Sequence, residues 1–180
     1  MITIQEIDEK LKTMSDFLKL EYLEEISKKQ NSLEVNKYVR KKLAELYANK
    51  GMYSNAARHY EVLAELSVTF KEKIEAYLKE VEMWIKASDY VTADDILKRA
   101  LSNANSSEKE KIKKTVKEMY KNQALFYEKR NERNKALKIY EKLYSIETDS
   151  NEKELLKNKL LELYEKTGKV REYMSLKEKK

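Results

Sequence analysis

One pattern constrains this chain more than any other. A short unit of aromatic, turn, alanine and aromatic returns at nearly fixed steps. Its fullest copy lies in residues 43–66, where Leu43, Tyr47, Tyr53, Ala56, Tyr60 and Leu63 carry the apolar positions and Gly51 marks the turn. Spacings of three, four and seven belong to one face of an α-helix, so the unit is two amphipathic helices meeting at a glycine. Tyr47 is followed by Trp84, Tyr127 and Tyr164, at steps of 37, 43 and 37 residues. At the same steps Gly51 is followed by Ser88, Asn131 and Gly168, Ala56 by Ala93 and Ala136, and Tyr60 by Leu97 and Tyr140. Ser15-Asp16-Phe17 resembles Ser88-Asp89-Tyr90 and places a weaker copy at the start. A fixed period in this range predicts a solenoid of helical repeats.

The composition agrees with that reading. A chain of 180 residues suits one domain. It has no proline and two glycines, so little punctuates the helices, and 39% of its residues are charged. The apolar residues come in stripes, which makes the charge a solvated outer surface rather than a mark of disorder. The lack of cysteine excludes a disulfide framework and thiol chemistry. No apolar run approaches a membrane span and no signal-peptide core is visible, so a cytoplasmic protein is expected.

Local signals set the expected helices. Thr3 and Glu6 form a capping box, and Ile4, Ile7, Leu11 and Met14 then share a face. Two helices breaking near Ser15, or one long helix to Gln30, both fit the first thirty residues. A third helix runs to Asn49. The next pair is 54–66 and 70–86, the latter capped by Thr69 with Glu72. Thr92-Ala93-Asp94-Asp95 lies inside the following helix or begins it. Residues 103–107 are the clearest loop, and Ser107 with Glu110 is expected to cap a helix to about Lys129. Residues 134–146 pair with it. Asp149 with Glu152 caps 153–166, and after Gly168 come a short helix, 170–176, and a basic tail.

The unit resembles a tetratricopeptide repeat. Tyr47, Gly51, Tyr53, Ala56 and Tyr60 match that family's aromatic, glycine, aromatic, alanine and aromatic. The other copies depart from it, with Ser88 and Asn131 for the glycine and Arg133 and Val170 for the aromatic after the turn. The steps exceed the family's usual 34 residues and imply longer helices. The resemblance implies an all-α, right-handed superhelical solenoid of antiparallel helix pairs. The approximate units are 1–36, 37–73, 74–116, 117–153 and 154–180. It also implies a concave binding surface made mainly by the first helix of each pair. Some members grip a C-terminal carboxylate with lysines and asparagines. Here Lys41 fits one such place, but Glu45 stands where an asparagine belongs, and Lys79 and Glu82 follow on the next helix, so that clamp is incomplete.

Little in the sequence points to catalysis. His59 is the only histidine. It is expected on a helix surface beside a buried Tyr60, with no cysteine or HExxH pattern to join it. Trp84 falls in the core stripe, and Tyr47, Trp84 and Tyr127 are expected to be buried. Asp94 with Asp95, and Glu24 with Glu25, are adjacent on helices, point about 100° apart and do not share a site. There is no glycine-rich phosphate loop. No enzyme activity, cofactor or metal is expected.

Charge is more informative. Residues 101–140 hold 11 Lys or Arg against 5 Glu, which equals the net +6 of the whole chain. Lys109, Lys113, Lys117 and Lys121 fall every four residues on one helix, a spacing that destabilises by repulsion. On helix stability alone nothing in folding calls for them, so exchanging Lys113, Lys117 and Lys121 for Gln is expected to keep or slightly raise stability. A solvated face is one reading of the stripe, and a site for an acidic partner segment is the other. The expected function is a non-catalytic scaffold that binds a protein or peptide along its inner face. The residues expected there are Tyr38, Lys41, Glu45, Leu78, Lys79, Glu82, Lys117, Lys121, Asn122, Leu125, Asn158, Lys159 and Glu162. A nucleic-acid binder using the 101–140 patch is the first alternative, although the patch is poor in arginine and lacks interleaved aromatics. A peptide-sensing regulatory domain is the second.

Overall fold

The computed structural model describes residues 2–178, so Met1 and the last two lysines of the basic tail lie outside the described residues. Among these residues it is all α-helical, with ten helices in chain order: α1 Ile4–Lys12, α2 Asp16–Ser27, α3 Leu33–Asn49, α4 Tyr53–Glu65, α5 Phe70–Lys86, α6 Tyr90–Ser102, α7 Ser106–Lys129, α8 Arg133–Ile146, α9 Ser150–Thr167 and α10 Val170–Glu178. They divide into two compact units, Met1–Ile112 and Lys113–Lys180. Within the first unit α2 packs on α3, α3 on α4, α4 on α5 and α5 on α6. Within the second α8 packs on α9 and α9 on α10.

The four turn residues picked out by the repeat share one backbone conformation. Gly51, Ser88, Asn131 and Gly168 have φ of +73°, +63°, +60° and +71°. Each ends its helix with the same pair of bonds. The turn residue's N–H donates to the carbonyl three residues back, onto Ala48, Ile85, Glu128 and Glu165. The next N–H donates to the repeat's aromatic, Tyr47, Trp84, Tyr127 or Tyr164, at 2.9, 3.0, 2.9 and 2.9 Å. This is the Schellman closure, which satisfies carbonyls the helix would otherwise leave open and reverses the chain. Glycine reaches positive φ without strain. Asn131 tolerates it, and Ser88 holds it against its own preference.

Capping sets the other ends. Thr3 and Glu6 form both legs of their box. Chain between Lys12 and Asp16 leaves the helix, so the first thirty residues are two helices. Asp89 caps α6 by accepting from Thr92 N–H at 3.1 Å, which places Thr92 inside that helix. The start of α7 differs from expectation. Asn105, not Ser107, is the cap. It accepts from Glu108 N–H at 3.0 Å, and Glu108 accepts from Asn105 N–H at 2.9 Å. Both boxes exist in the sequence, and the earlier one satisfies its amides while adding length to the helix.

Between paired helices the small residue at the crossing is fully enclosed. Ala56, Ala93 and Ala136 are all buried, as their shared repeat position requires. Around Ala56 gather Ala44, Ala57, Tyr60 and Met83. The weaker first copy builds a core of its own from Ile7, Leu11, Leu23, Ile26, Val35, Val39 and Leu43. The repeat aromatics are less uniform than expected. Tyr127 and Tyr164 are buried, but Tyr47 and Trp84 are only half-buried. Each of those two keeps a polar tip bonded to a carboxylate: Tyr47 Oη to Glu24 at 3.0 Å and Trp84 Nε1 to Glu80 at 3.2 Å. Tyr164 makes the equivalent bond, to Glu141 at 2.9 Å, and is buried, so the bonded tip does not by itself set the depth of the ring.

A Cβ built at Gly51 meets nothing within 4 Å, so only the backbone opposes a side chain there. Gly51→Ala should therefore lower stability by about 1 kcal/mol, and Gly51→Asn by less. Urea unfolding of the three proteins checks this, and an alanine variant as stable as the parent would contradict it.

Candidate functional site

His59 is not a surface residue. It is 8% exposed and sits where α2, α3 and α4 meet. Arg40 Nη1 donates to His59 Nδ1 at 3.2 Å. A guanidinium has no acceptor, so Nδ1 carries the lone pair and Nε2 the proton. That proton faces Glu24 Oε1 at 3.2 Å, the same oxygen that accepts from Tyr47. The imidazole lies flat against the Tyr47 ring, with centroids 5.4 Å apart and planes within 9°. Burial holds the histidine pKa below its usual value. Glu24 pulls it up and Arg40 pushes it down. The cluster ties three helices together.

The first unit holds a groove between α1, α2 and α3, of about 460 Å³. Lys12, Lys19, Lys42 and Asn49 line it with Asp8 and Glu45, over Leu11 and Leu46. Of the residues expected at a binding face, Glu45 lies in this groove and Tyr38 stands beside it. Tyr38 donates its hydroxyl to Asp8, and Lys42 lies over its ring at 5.4 Å. Burial first, then Asp8, raises the Tyr38 pKa. Lys41 is exposed, and Leu78 on α5 is half-buried. Lys79 and Lys86 both bind Glu82, at 3.2 and 2.7 Å. Burial alone would raise the Glu82 pKa, but Lys86 and Lys79 outweigh it and hold it below the ordinary value.

In the second unit the lysine stripe has internal partners. Lys117 Nζ lies 2.7 Å from Glu147 and 3.2 Å from Glu152. Lys121 Nζ lies 3.1 Å from Glu152 and 3.4 Å from Glu118. Glu147 is 3% exposed and also accepts from the N–H groups of Thr148 and Asp149, both at 2.9 Å. Burial raises its pKa, but Lys117 and these amides win and hold the carboxyl well below the usual range. Folding therefore does call for Lys117, contrary to the expectation from helical repulsion. A contact thirty residues away outweighs a few tenths of a kcal/mol between neighbours on one helix. Lys159 binds Glu128 at 2.6 Å and Glu162 at 3.5 Å, and Glu162 also binds Lys166. Asn122 and Asn158 are exposed, as is Leu125 at 48%. Lys109 and Lys113 are exposed on the earlier turns of α7.

One of these bridges is a repeat feature. Lys37 on α3 binds Glu72, the third residue of α5, at 2.9 Å. Lys117 and Glu152 are their equivalents 80 residues on, with the same separation of 35. The lysine thus joins one first helix to the start of the next. Sequence reading found Lys117 but missed Glu147 and Glu152. The recurrence of Lys-x34-Glu at the repeat step was the available signal.

A family model described as tetratricopeptide repeat matches residues 120–154, the stretch holding Tyr127, Asn131, Ala136 and Tyr140. No curated protein matches the chain. The match and the succession of ten helices among the described residues fit a tetratricopeptide-like helical-repeat protein. No helix among the described residues is long and apolar enough to cross a membrane.

Two outcomes follow from these contacts. His59→Ala should cost about 1–3 kcal/mol, because it removes a buried ring and leaves Arg40 and Glu24 without their shared partner. The histidine's lowered pKa means its contribution is present above the unfolded value of 6.5 and lost as pH falls through the folded one. Thermal unfolding between pH 8 and pH 5 should show this loss in the parent and less of it in the variant. Lys117→Gln should cost about 1–3 kcal/mol by stranding the buried Glu147, whereas Lys114→Gln, exposed on the same helix, should cost under about 0.5 kcal/mol in urea unfolding.

Proposed function

We propose that this tetratricopeptide-like chain is a non-catalytic scaffold that holds a protein or peptide segment on the faces of its first helices. These are α1, α3 and α5 in the first unit, and α9 with the part of α7 from Lys113 onward in the second. The observation that carries this reading is the groove against α1 and α3. Its volume lies within the range of ligand clefts. Its walls mix donors from three lysines and Asn49 with acceptors from Asp8 and Glu45, above an apolar floor. A peptide offers the complement: carbonyls and N–H groups at regular intervals, with side chains of either charge. A phosphate backbone would have to pass Asp8 and Glu45, which disfavours nucleic acid in this groove. Of the expected contact residues, Glu45 lines it and Tyr38 reaches its Asp8, while Lys41 is exposed on the same helix and Leu78, Lys79 and Glu82 continue the series along α5.

Peptides selected by display on the intact protein provide the test. The double exchange Lys12→Glu and Lys42→Glu reverses two charges of the groove without touching its core. It should weaken the selected peptides at least about tenfold by titration calorimetry, with helicity unchanged. Equal affinity of the parent and the double variant would remove the groove from the binding surface.

A further inference from the structure

We propose that Glu152 is a built-in competitor, which masks a two-lysine docking site on α7 for an acidic peptide segment. This deepens the scaffold reading and rests on it for the idea that α7 presents a binding face. The first observation is the way one carboxylate oxygen serves two ammonium groups. Glu152 Oε2 lies 3.2 Å from Lys117 Nζ and 3.1 Å from Lys121 Nζ. An acidic side chain thus already sits where an acidic ligand would, and it comes from the chain itself.

The second observation is that Glu152 has been released from its ordinary duty. It is the third residue of α9, and Asp149 accepts from its N–H at 2.9 Å. At that position a glutamate normally reaches back to the cap residue's own N–H. Glu6 and Glu108 do so, accepting from Thr3 and Asn105 at 2.8 and 2.9 Å. In α9 the Asp149 N–H goes to Glu147 instead, at 2.9 Å. Glu147 therefore completes the cap and neutralises Lys117 from the buried side. Glu152 is left as an arm whose side chain is 43% exposed, held by two partly exposed lysines and a contact with the Glu147 carboxyl. Exposed pairs of this kind are weak, so an incoming carboxylate can replace the arm without unfolding α9.

The third observation selects the class of ligand. Residues 113–180 hold 19 Lys or Arg against 12 Asp or Glu, while residues 1–112 are close to neutral. The second unit therefore attracts anions at a distance. Phe126 is 47% exposed on the same helix but has the Arg130 guanidinium over its ring, whereas the exposed side chains in register with the lysines are leucines. Leu125 is one turn beyond Lys121 and Leu155 three residues beyond Glu152, exposed by 48% and 70%. An acidic peptide with an apolar residue fits that pattern better than a nucleic acid, which gains from stacked rings. When such a peptide binds, its carboxylates take over Lys121 and the outer side of Lys117, and Glu152 swings into water.

The test uses the full chain and a fluorescently labelled hexaglutamate peptide at low salt. Glu152→Gln removes the competing charge but keeps the cap on Asp149, so its thermal midpoint should stay close to that of the parent. The variant should bind the peptide about fivefold more tightly than the parent. Adding Lys121→Gln to Glu152→Gln should abolish the gain. Equal affinity of parent and Glu152→Gln overturns the inference, as does absence of binding to both, or a gain that survives Lys121→Gln. An oligonucleotide of equal charge that gains as much as the peptide overturns the assignment to a peptide. None of these outcomes bears on the groove at Lys12 and Lys42, so the scaffold reading stands or falls by its own experiment.

Discussion

The left-handed turn after each repeat aromatic is the constraint on which the rest depends. A helix pair can bury its stripes only if the chain reverses within a few residues. The closure at Gly51, Ser88, Asn131 and Gly168 achieves this with two backbone hydrogen bonds. The second bond fixes the residue after the turn to the carbonyl of the aromatic itself. The aromatic is therefore held at both ends, by its backbone at the turn and by its ring in the neighbouring helix. Ala56, Ala93 and Ala136 follow five residues after their turns, where the second helix first comes close to the first. With no Cβ branch beyond a methyl, they permit the approach that the turn imposes.

Side chains then tie successive pairs together by a second recurring device. Tyr47 donates to Glu24 and Tyr164 to Glu141, in each case 23 residues back. The hydroxyl of a first helix is thereby anchored to the second helix of the preceding pair. In the Trp84 copy the residue 23 back is Glu61, but the indole N–H goes to Glu80 on its own helix. Indole carries its donor on the side of the ring rather than at its tip. Glu61 instead faces Arg99 across 3.7 Å. One substitution of tryptophan for tyrosine thus redirects the polar contacts of a whole repeat.

The turns, helix pairs and buried alanines were legible because they depend on residues within one unit and return with its period. Long-range partners were harder to see. The repeat step nonetheless carries some of them. Counting 37 and then 43 residues from His59 reaches Ile96 and Ile139, both buried. The histidine thus occupies a core position, and its polarity required partners, which Arg40 and Glu24 supply. The same counting links Lys37–Glu72 to Lys117–Glu152. What no counting supplies is Glu147. Its role depends on the loop between α8 and α9 folding back beneath Lys117, which follows from the path of the chain and from no local motif. Of the expected binding face, the sequence indicated which helix surfaces to watch, but not that several of its lysines already hold internal acids.

Two buried carboxylates show how strongly the surroundings decide the meaning of one residue type. Glu147 meets an ammonium and two N–H groups and stays ionised far into acid. Glu80 is 1% exposed and receives a single indole N–H, while its Oε2 has no hydrogen-bond partner among the described residues. Burial raises its pKa to about 7, with Glu61 and Glu65 adding to the shift and Trp84 and Arg99 opposing it. A carboxyl raised in this way favours the fold below its unfolded value of 4.5 and loses that advantage as pH rises to about 7. His59, lowered by burial, acts in the opposite sense and favours the fold above 6.5. Both groups belong to the first unit, and both are most compatible with their surroundings when uncharged. Acid charges the histidine and base charges the carboxyl, so the two groups pull the pH dependence of the first unit's stability in opposite directions, and each partly offsets the other.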